Sequence, residues 1–292
     1  MIIMSKLYGI DVYSGEGSDI TKKVEYDFAI VKATGNPQAY AWNYINKNAK
    51  AQIDAAYKRT GLVGLYHFTW GKPDPTMEVD LFIKEVKELG YLGKAILVID
   101  YEAEAVRRGR TWVAKFAKQI KDKTGCVPVI YASGSVIQNQ SLGKLGYPIW
   151  EASYPSSKQI KGYNPPSGKV WYKDRVMWQF TERGKLSGYG GEMDLNVFYG
   201  DKKKWKKMAK PQSKPKKESI YPTVTLVIGD KGAQVKKLQK CLNKVLKNKL
   251  KVDGSFGPRT RDAVKKFQKK YGLKVDGKVG PKTRAEIKKR IK

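Results

Sequence analysis

The sequence predicts an α/β protein: an irregular (β/α) barrel of about eight strands with an incomplete ring of helices, followed by a small all-α domain. Three observations predict this fold. Strand-like segments alternate with helical patterns over residues 1–200, a Lys- and Pro-rich segment follows at 201–219, and two near-identical segments lie within 220–292. We therefore divide the chain of 292 residues into a barrel, a linker and a C-terminal domain at these boundaries.

Eight short apolar runs bounded by turn-forming residues are strand candidates. In chain order they are residues 7–13, 27–34, 63–70, 95–101, 127–133, 148–154, 175–181 and 193–199. Between the early runs, apolar residues recur at helical spacing: Ile45, Ala49, Ile53 and Ala56 in one segment, and Trp112, Val113, Phe116 and Ile120 in another. The later connections are shorter and more irregular, which favours a barrel whose helical ring is incomplete.

The segment 201–219 is rich in lysine, contains two prolines and has almost no apolar residues, as is typical of a solvated linker. After it, an 18-residue segment that begins at Leu250 recurs at Leu273, with 11 of the 18 positions identical. Each copy holds an Asp-Gly turn, a Gly-Pro pair and a threonine that fits a helix cap. Upstream, a further amphipathic helix is predicted by Val235, Leu238, Leu242 and Val245. This domain has no cluster of chemically reactive side chains, so we expect it to bind rather than catalyse.

The charge of the chain is strongly basic and unevenly distributed. Of the net charge of +31, the smaller part lies in residues 1–200, with 27 Lys and Arg against 20 Asp and Glu, and the larger part in residues 201–292, with 31 against 7. A tail of this kind fits a polyanionic partner, which can be nucleic acid, an anionic membrane or an anionic cell wall. Charge alone does not select among these partners.

The compartment is indicated by what the sequence lacks. No run approaches the roughly 18 apolar residues of a membrane span, so we expect no transmembrane segment. The N-terminal residues have neither the charged region nor the apolar region and cleavage site of a secretory signal. Cys126 and Cys241 lie far apart and do not make a disulfide framework. We therefore expect the protein to be made and folded in a reducing cytoplasm.

Most known catalytic signatures are missing. The sequence has a single histidine, His67, and no G-x-S-x-G motif, which disfavours Ser-His-Asp chemistry. Zinc, phosphate-loop and dinucleotide motifs are absent, so no metal or other cofactor is expected. We interpret His67, which lies in an apolar strand candidate, as a hydrogen-bonded wall residue rather than a catalyst.

Of the common kinds of catalytic chemistry, the sequence leaves catalysis by carboxyl groups. The fourth strand candidate is apolar over residues 95–99 and ends in Asp100 and Glu102, whose side chains point the same way because residues two apart share a strand face. Two neighbouring carboxylates at a buried strand end repel each other and cost desolvation. A strand that simply runs out into solvent is the plain alternative. Asp11, near the end of the first strand, and Asp194, in the last, can face the same mouth of a barrel.

A cluster of acids at one mouth can hold a proton at neutral pH, because mutual repulsion and burial raise a carboxyl pKa. Glycoside hydrolysis requires this, since it uses one protonated acid and one carboxylate. Aromatic residues that can stack on sugar rings lie at other strand ends: Trp70, Tyr131, Trp150 and Trp178. Each by itself is more often a core residue, but their recurrence at strand ends favours a sugar-binding groove.

These motifs resemble a known family. The segments YGIDVYSG, FAIVKAT, GLYHF, VIDYEA, PIWEASY, MWQFT and MDLNVFYG resemble motifs of the glycoside hydrolase family 25 lysozymes and occur in the same order, so that the resemblance covers essentially residues 7–200. The resemblance implies an irregular α/β barrel that cleaves the β-1,4 bond between N-acetylmuramic acid and N-acetylglucosamine in peptidoglycan. It makes Glu102 the general acid and Asp100 the partner that stabilises the positive centre or orients the substrate's acetamido group. It also matches Asp11 and Asp194 to acids of the family.

Six further residues are expected to line the sugar groove because they lie at strand ends around these acids: Lys32, Tyr66, Trp70, Tyr131, Trp150 and Gln179. The family motifs imply the same for Lys32, Tyr66 and Gln179.

Residues 226–290 resemble the common three-helix peptidoglycan-binding domain but are richer in lysine. Bacterial peptidoglycan is therefore the expected partner, together with anionic wall polymers such as teichoic acid, and no nucleic-acid motif is recognisable. A lysozyme with a wall anchor and no signal peptide resembles a phage endolysin, which waits in the host cytoplasm until a holin opens the membrane. A host autolysin exported by another route is one alternative. Another is a non-catalytic carbohydrate-binding barrel with a basic wall- or nucleic-acid-anchoring tail, although the intact acids favour an enzyme.

Overall fold

The computed structural model describes residues 5–36, 41–212, 219–247 and 249–291, and the chain divides into two units, Met1–Lys216 and Lys217–Lys292. Each unit has a hydrophobic core of its own. Within the described ranges, no helix is both long enough and apolar enough to cross a membrane.

The first unit is built on a closed barrel. Its strands are β1 (Lys6–Val12), β2 (Phe28–Asn36), β3 (Ala41–Ile45), β4 (Val63–Phe68), β5 (Ala95–Asp100), β6 (Val129–Ser133), β7 (Ile149–Ala152), β8 (Ile160–Lys161), β9 (Met177–Lys185) and β10 (Met193–Tyr199). Eight of them close in the order β1-β10-β9-β7-β6-β5-β4-β2, with β2 pairing back to β1. β3 extends the sheet beside β2, and β8 does so beside β9. The eight barrel strands are those predicted from the sequence, so the predicted fold class is confirmed.

One barrel strand runs against the others. β10 is antiparallel to β1 and β9, whereas the other neighbouring barrel strands are parallel. The beginning of β10 therefore lies at the barrel end where the other strands finish. Asp194, the second residue of β10, is paired with Asp11 near the end of β1. The sequence placed both acids at one mouth, but Asp194 reaches it from the start of a reversed strand.

Helices cover only part of the barrel wall. They are α1 (Ile20–Lys23), α2 (Ala49–Thr60), α3 (Thr76–Glu88), α4 (Ala103–Val106), α5 (Arg110–Thr124), α6 (Gly134–Asn139) and α7 (Lys202–Ala209). The long ones, with 12, 13 and 15 residues, are α2, α3 and α5, which follow β3, β4 and β5. Because the connections after β6 carry shorter segments, the helical ring is incomplete, as predicted.

One helix boundary predicted from periodicity is wrong. The spacing groups Ile45 with Ile53 on one helix, but Ile45 ends β3 and is 39% exposed. The helix begins only at Ala49, after a turn in which Oδ1 of Asn46 accepts a hydrogen bond from the backbone N–H of Asn48 at 2.9 Å. Asparagine side chains compete in this way for backbone donors, so the helix cannot start earlier.

Part of the predicted linker belongs to the barrel. Residues 202–209 form α7, and its tryptophan, Trp205, is fully buried. The ring of Trp205 lies 4.5 Å from that of Phe28 and 5.0 Å from that of Phe198, at the barrel end opposite the mouth. The lysines that made this segment look solvated occupy the exposed face of the helix. A single tryptophan therefore anchors a segment whose composition indicated a linker.

The barrel interior is filled by side chains in layers. On β5, Ile96 and Val98 point inward, while Leu97 and Ile99 pack outward against the helices. Asp100 continues the inward series. It is therefore the top layer of a packed interior, and the alternative that the strand simply runs out into solvent is wrong.

The second unit is helical, with α8 (Ala233–Leu246), α9 (Pro258–Lys270) and α10 (Pro281–Arg290). Both copies of the sequence repeat make the same polar network. In the first, Nε2 of Gln239 donates to Oδ1 of Asp253 at 2.9 Å and to Oγ1 of Thr260 at 3.3 Å, and its Oε1 accepts from the N–H of Gly254 at 2.9 Å. In the second, the same contacts join Gln268, Asp276, Thr283 and Gly277.

The expected capping role of the repeat threonines is wrong. α9 and α10 begin at Pro258 and Pro281, with a glycine before each proline, so Thr260 and Thr283 lie inside the first turn. Their hydroxyls instead accept hydrogen bonds from the buried glutamines. The Asp-Gly turn and the threonine of each repeat thus serve the internal structure of the unit.

Candidate active site

A cavity of about 310 Å³ opens at the barrel mouth. The structure brings together there nine of the ten residues predicted as site residues: Asp11, Lys32, Tyr66, Asp100, Glu102, Tyr131, Trp150, Gln179 and Asp194. The lining is completed by Tyr13, Phe68, Tyr154 and Glu182. Except for Glu182, which lies inside β9, these residues occupy inward-pointing strand positions or the loops directly after the strands.

Trp70, the tenth predicted residue, does not line this cavity. It lies in the loop after β4, where the carboxylate of Glu78 accepts hydrogen bonds from the backbone N–H groups of Trp70 at 2.6 Å and Lys72 at 2.8 Å. Glu78 also lies 3.1 Å from Nε2 of His67, whose Nδ1 lies 2.8 Å from Oγ1 of Thr34. His67 is fully buried and hydrogen-bonded, as the sequence indicated.

Asp100 and Glu102 lie at the carboxyl end of β5 and differ in exposure. Asp100 is 8% exposed, whereas Glu102 is half-buried. Burial raises the pKa of Asp100 well above its usual value, and the neighbouring Glu102 charge adds to this. Burial also raises the pKa of Glu102. Among the described residues, Oδ1 of Asp100 is the one buried side-chain polar atom without a hydrogen-bond partner. An unsatisfied buried oxygen of this kind is costly, so it calls for an explanation such as a functional role.

The backbone turns sharply after this pair. Glu102 is extended, with φ −144° and ψ −171°, and Ala103 then adopts φ 47°, in the left-handed region. For a residue with a Cβ this conformation costs about 1 kcal/mol. Strain of this kind is typical of functional positions, and here it turns the chain away immediately after Glu102, two residues beyond the end of β5.

Asp11 is held by a network of amide donors. Its Oδ2 accepts hydrogen bonds from Nε2 of Gln179 at 2.9 Å and from Nδ2 of Asn196 at 2.7 Å. Asp194 makes a further side-chain hydrogen bond to it, and burial, with the charges of Asp11 and Glu16, raises the pKa of Asp194 well above its usual value. Burial also raises the pKa of Asp11, although these hydrogen bonds oppose the shift. Two carboxyl groups can share a hydrogen bond only if one is protonated, and the opposite effects of this bond on the two pKa values favour the proton on Asp194.

Lys32 is the lysine that lines this cavity, and it is 8% exposed. Its Nζ lies 5.6 Å from the ring centroid of Tyr13, 5.4 Å from that of Tyr66 and 5.2 Å from that of Phe68. Burial lowers the pKa of Lys32, and the charges of the surrounding acids oppose this shift. The aromatic rings thus fix the position of a positive charge that partly compensates the acids.

The floor of the cavity at the barrel mouth is formed by Tyr131, Trp150 and Gln179. The hydroxyl of Tyr131 donates to Oε1 of Gln179 at 2.8 Å, and Nε1 of Trp150 donates to Oδ1 of Asn196 at 3.0 Å. Trp150 is only 2% exposed and packs edge-on against Tyr131, with ring centroids 4.7 Å apart. Its ring face is therefore not open for stacking on a sugar, which corrects the role expected from the sequence.

Asn196 was not predicted, although it connects the network. It is fully buried, donates to Asp11 and accepts from Trp150. It follows Asp194 by two residues on β10, so the strand-face rule that pairs Asp100 with Glu102 could have identified it.

Glu16 also escaped prediction. It lies in a single 3-10 turn (Ser14–Glu16) after β1, and its carboxylate accepts a hydrogen bond from the backbone N–H of Tyr13 at 2.7 Å. Burial raises the pKa of Glu16 to about 8, with a contribution from the Asp11 charge. A loop residue of this kind has no periodicity that would place it beside the cavity.

A second cavity of about 550 Å³ adjoins the first. The residues that line both are Glu102, Tyr131, Tyr154 and Glu182. On the far wall, Nζ of Lys169 lies 3.3 Å from the ring centroid of Trp171. This wall is held by the fully buried Glu151, which accepts hydrogen bonds from the backbone N–H of Tyr172 at 2.8 Å and from Nη1 of Arg175 at 2.6 Å. Together the cavities form a groove that passes Glu102.

A barrel whose mouth holds several carboxyl groups of raised pKa along a groove has the arrangement of a glycoside hydrolase, which needs a proton donor and a carboxylate beside the scissile bond. Within the described residues, no group of three or more His, Cys, Asp or Glu side chains is arranged to hold a metal ion. The chain belongs to the glycosyl hydrolases family 25, whose family model matches residues 10–189. Residues 231–287 match a family of peptidoglycan-binding domains. Both resemblances noted in the sequence are confirmed, and the protein is a glycoside hydrolase.

Several known proteins are similar to this chain. An autolytic lysozyme of Clostridium acetobutylicum is 30% identical over 270 residues, which cover 89% of this chain and 72% of the relative. A family 25 glycosyl hydrolase structure from Bacillus anthracis superposes with a TM-score of 0.53 at 25% identity, covering 72% of this chain and 95% of the other. The catalytic domain of an endolysin from bacteriophage P40 of Listeria monocytogenes superposes with a TM-score of 0.54 at 18% identity, covering 73% of this chain and 100% of the other, and shares the fold.

Proposed function

We propose that this enzyme hydrolyses the β-1,4 bond between N-acetylmuramic acid and N-acetylglucosamine in bacterial peptidoglycan, with Glu102 as the general acid and Asp100 as its carboxylate partner. The observation that carries the proposal is the pair itself: two acids of raised pKa at one strand end, one half-exposed in a groove and one buried with an unpartnered oxygen. The autolytic lysozyme relative and the match to peptidoglycan-binding domains support the choice of substrate.

Glu102 is placed to act on a bond between two sugars. It lines both cavities, so a chain that occupies the groove passes its carboxyl group. Burial favours the protonated form of Glu102, and a protonated carboxyl group can donate its proton to the leaving oxygen.

Asp100 lies deeper and binds the proton of the pair more strongly while the groove is empty, because it is more completely buried. A positive centre or an acetamido N–H placed against its Oδ1 favours the ionised form of Asp100. The proton of the coupled pair then resides on Glu102. This division of roles is the one that glycoside hydrolysis requires.

The direct test is the loss of turbidity of purified Gram-positive cell walls, followed by identification of the sugar that carries the new reducing end. We expect clearing, with the reducing end on N-acetylmuramic acid. A reducing end on N-acetylglucosamine would assign cleavage to the other glycosidic bond, and intact walls would contradict the proposed substrate.

The second unit is proposed to hold the enzyme on the wall. The match to peptidoglycan-binding domains supports peptidoglycan as its ligand. Anionic wall polymers such as teichoic acid are a further proposed partner, because the surplus of Lys and Arg over Asp and Glu is concentrated in residues 201–292.

We also propose that the protein is a phage endolysin that acts on the wall from the host cytoplasm. The autolytic lysozyme relative keeps a host autolysin as the alternative. Induction in the cytoplasm of a Gram-positive cell, with and without a co-expressed holin, separates the two. Lysis that requires the holin supports the endolysin role, whereas lysis without it indicates another route of export.

A further inference from the structure

β9 contains a bulge beside the groove. Thr181 pairs with Leu195 of β10, but the next pair is Gly184 with Met193, so three steps along β9 face two steps along β10. A bulge re-aims side chains and is common next to active sites. Glu182 lies in this bulge, and it lines both cavities.

The carboxylate of Glu182 interacts electrostatically with Glu102 and with Arg183. It is exposed and makes no hydrogen bond or ion pair within the part of the chain that the structure describes. The neighbouring Arg183 is committed elsewhere, with Nε 3.0 Å from Oε2 of Glu192 and Nη1 donating to the carbonyl oxygen of Ser157 at 2.7 Å. Glu182 is therefore free to contact what lies in the groove.

The groove around Glu182 carries a surplus of negative charge. The charged residues that line the first cavity are Asp11, Asp100, Glu102, Glu182, Asp194 and Lys32. In the second cavity, the ammonium of Lys169 rests on the ring of Trp171. Asp100, which lines the first cavity and is nine-tenths buried, has a side-chain oxygen, Oδ1, without a hydrogen-bond partner among the described residues. An exposed, unpaired carboxylate in such surroundings fits a cationic group on the substrate.

We propose that Glu182 binds a primary ammonium group of the wall substrate, so that the enzyme cleaves amine-bearing peptidoglycan faster than fully N-acetylated peptidoglycan. The proposal rests on the proposed wall hydrolysis. Within peptidoglycan, a primary ammonium comes either from an amino sugar without its acetyl group or from a diamino acid of the stem peptide. Because ion pairs of exposed groups are weak, we expect a preference in kcat/KM of about three- to fivefold, which decreases as salt screens the pair.

The test uses the full chain, as wild type, Glu182→Gln and Glu104→Gln. Glu104 is an exposed acid close to Glu102 in sequence that is paired with Arg107 at 3.3 Å and lines neither cavity, so it serves as the matched control. The first substrate pair is teichoic-acid-free walls before and after complete N-acetylation with acetic anhydride. The second pair is glycan strands freed of stem peptides by an amidase, with and without enzymatic de-N-acetylation.

We expect wild type and Glu104→Gln to cleave amine-bearing walls faster than N-acetylated walls. For Glu182→Gln we expect the ratio of kcat/KM on the two kinds of wall to be close to one, whatever the overall rate of this variant. A preference that persists on peptide-free strands identifies the sugar amine, and one that requires stem peptides identifies the diamino acid. Equal rates of wild type on walls before and after N-acetylation, or an undiminished preference in Glu182→Gln, would overturn the proposal. Failure of wild type to cleave any of these substrates would instead contradict the proposed hydrolysis itself.

Discussion

Asp11 and Asp194 face each other across the antiparallel strands β1 and β10, and the hydrogen bond between their carboxyl groups adds to the raised pKa of Asp194 and opposes the raised pKa of Asp11. Asparagine at position 194 retains an N–H donor, whereas leucine has a similar size and none. We expect Asp194→Asn to reduce kcat/KM by less than about tenfold and Asp194→Leu by at least about tenfold more, because a lost hydrogen bond to a charged group costs roughly 1.5–3 kcal/mol. Wall clearing rates at several substrate concentrations, with melting temperatures of both variants, measure this. Equal activity of the two variants would show that the hydrogen bond is not what position 194 contributes.

Glu102→Gln tests the assignment of the general acid. The amide is isosteric but cannot donate the acid's proton, so we expect a loss of kcat of about 100-fold or more with the fold intact. Asp100→Asn is expected to be severe as well, because an amide cannot supply the carboxylate charge that the proposed role of Asp100 requires. Glu104→Gln is the matched control and is expected to be mild.

The measurement is wall clearing together with circular dichroism of each variant. A folded Glu102→Gln protein with near-normal activity would show that another carboxyl group is the general acid, and Asp194 would be the first candidate.

The barrel and most of the acidic cluster could be predicted because both depend on short-range rules. Alternation along a strand and the meeting of strand ends at one mouth are sufficient to place Asp11, Asp100 and Glu102 together from the sequence alone. The direction of β10 could not be read in this way, since an apolar strand looks the same in either direction. The sequence therefore predicts the position of Asp194 at the mouth but not the reversed direction of β10 that brings it there.

The remaining differences between the structure and the prediction from the sequence depend on long-range packing. Composition gave no sign that Trp205 is buried by Phe28 and Phe198, because nothing in a lysine-rich segment indicates which partner its one tryptophan meets. Glu182 was missed because the bulge in β9 changes the strand parity, and a bulge depends on the partner strand.

Trp150→Ala is expected to act mainly on stability. The sequence alone indicated a larger effect on substrate handling, but a ring that is 2% exposed leaves a large cavity when it is removed. Such truncations cost about 3–5 kcal/mol. Trp150→Phe keeps most of the volume and loses the hydrogen bond to Asn196, so we expect a cost of only about 1–2 kcal/mol from that bond.

Urea unfolding followed by tryptophan fluorescence measures both variants. All 7 tryptophans precede residue 217, so the signal reports on the first unit only. An alanine variant with unchanged unfolding and impaired wall binding would return Trp150 to a ligand-contact role.

The acids of raised pKa predict a pH dependence of stability. Burial raises the pKa of Glu16 from 4.5 to about 8, so the folded state keeps a proton that the unfolded state loses above pH 4.5. The contribution of Glu16 to the free energy of unfolding is therefore fully present below about pH 4.5 and is lost as the pH rises to about 8. Asp100 and Asp194 contribute to the pH dependence of stability in the same direction, because their pKa values are also raised.

We expect the melting temperature of the first unit to fall between pH 5 and pH 8, and Glu16→Gln to reduce that fall because it removes one of the responsible groups. Fluorescence-detected melting at a series of pH values checks this, with Glu104→Gln as an exposed control. A Glu16→Gln protein with the wild-type pH dependence would show that Glu16 ionises in the folded state as it does in the unfolded chain.

Residues 220–292, expressed alone, are expected to bind purified cell walls without cleaving them, and residues 1–219 to cleave more slowly than the full chain at low substrate. Tethering raises the local concentration of wall chains near the barrel, an effect that disappears when substrate saturates the enzyme. The hydrogen-bond network of Gln239 and Gln268 uses the Asp-Gly turns and threonines of the repeat for internal structure. We therefore expect recognition by the isolated unit to use other groups, among them the exposed lysines and arginines.

If those charges supply the attraction, binding to teichoic-acid-bearing walls weakens as salt shortens the Debye length below about 8 Å. A pull-down across a salt series, on walls with and without teichoic acid, separates the contributions. Binding that needs teichoic acid and disappears in high salt identifies the anionic polymer as the ligand, and binding that survives both changes identifies peptidoglycan. A unit that ignores walls in every condition and retards duplex DNA would contradict the wall-anchor assignment, because the basic surface would then serve nucleic acid.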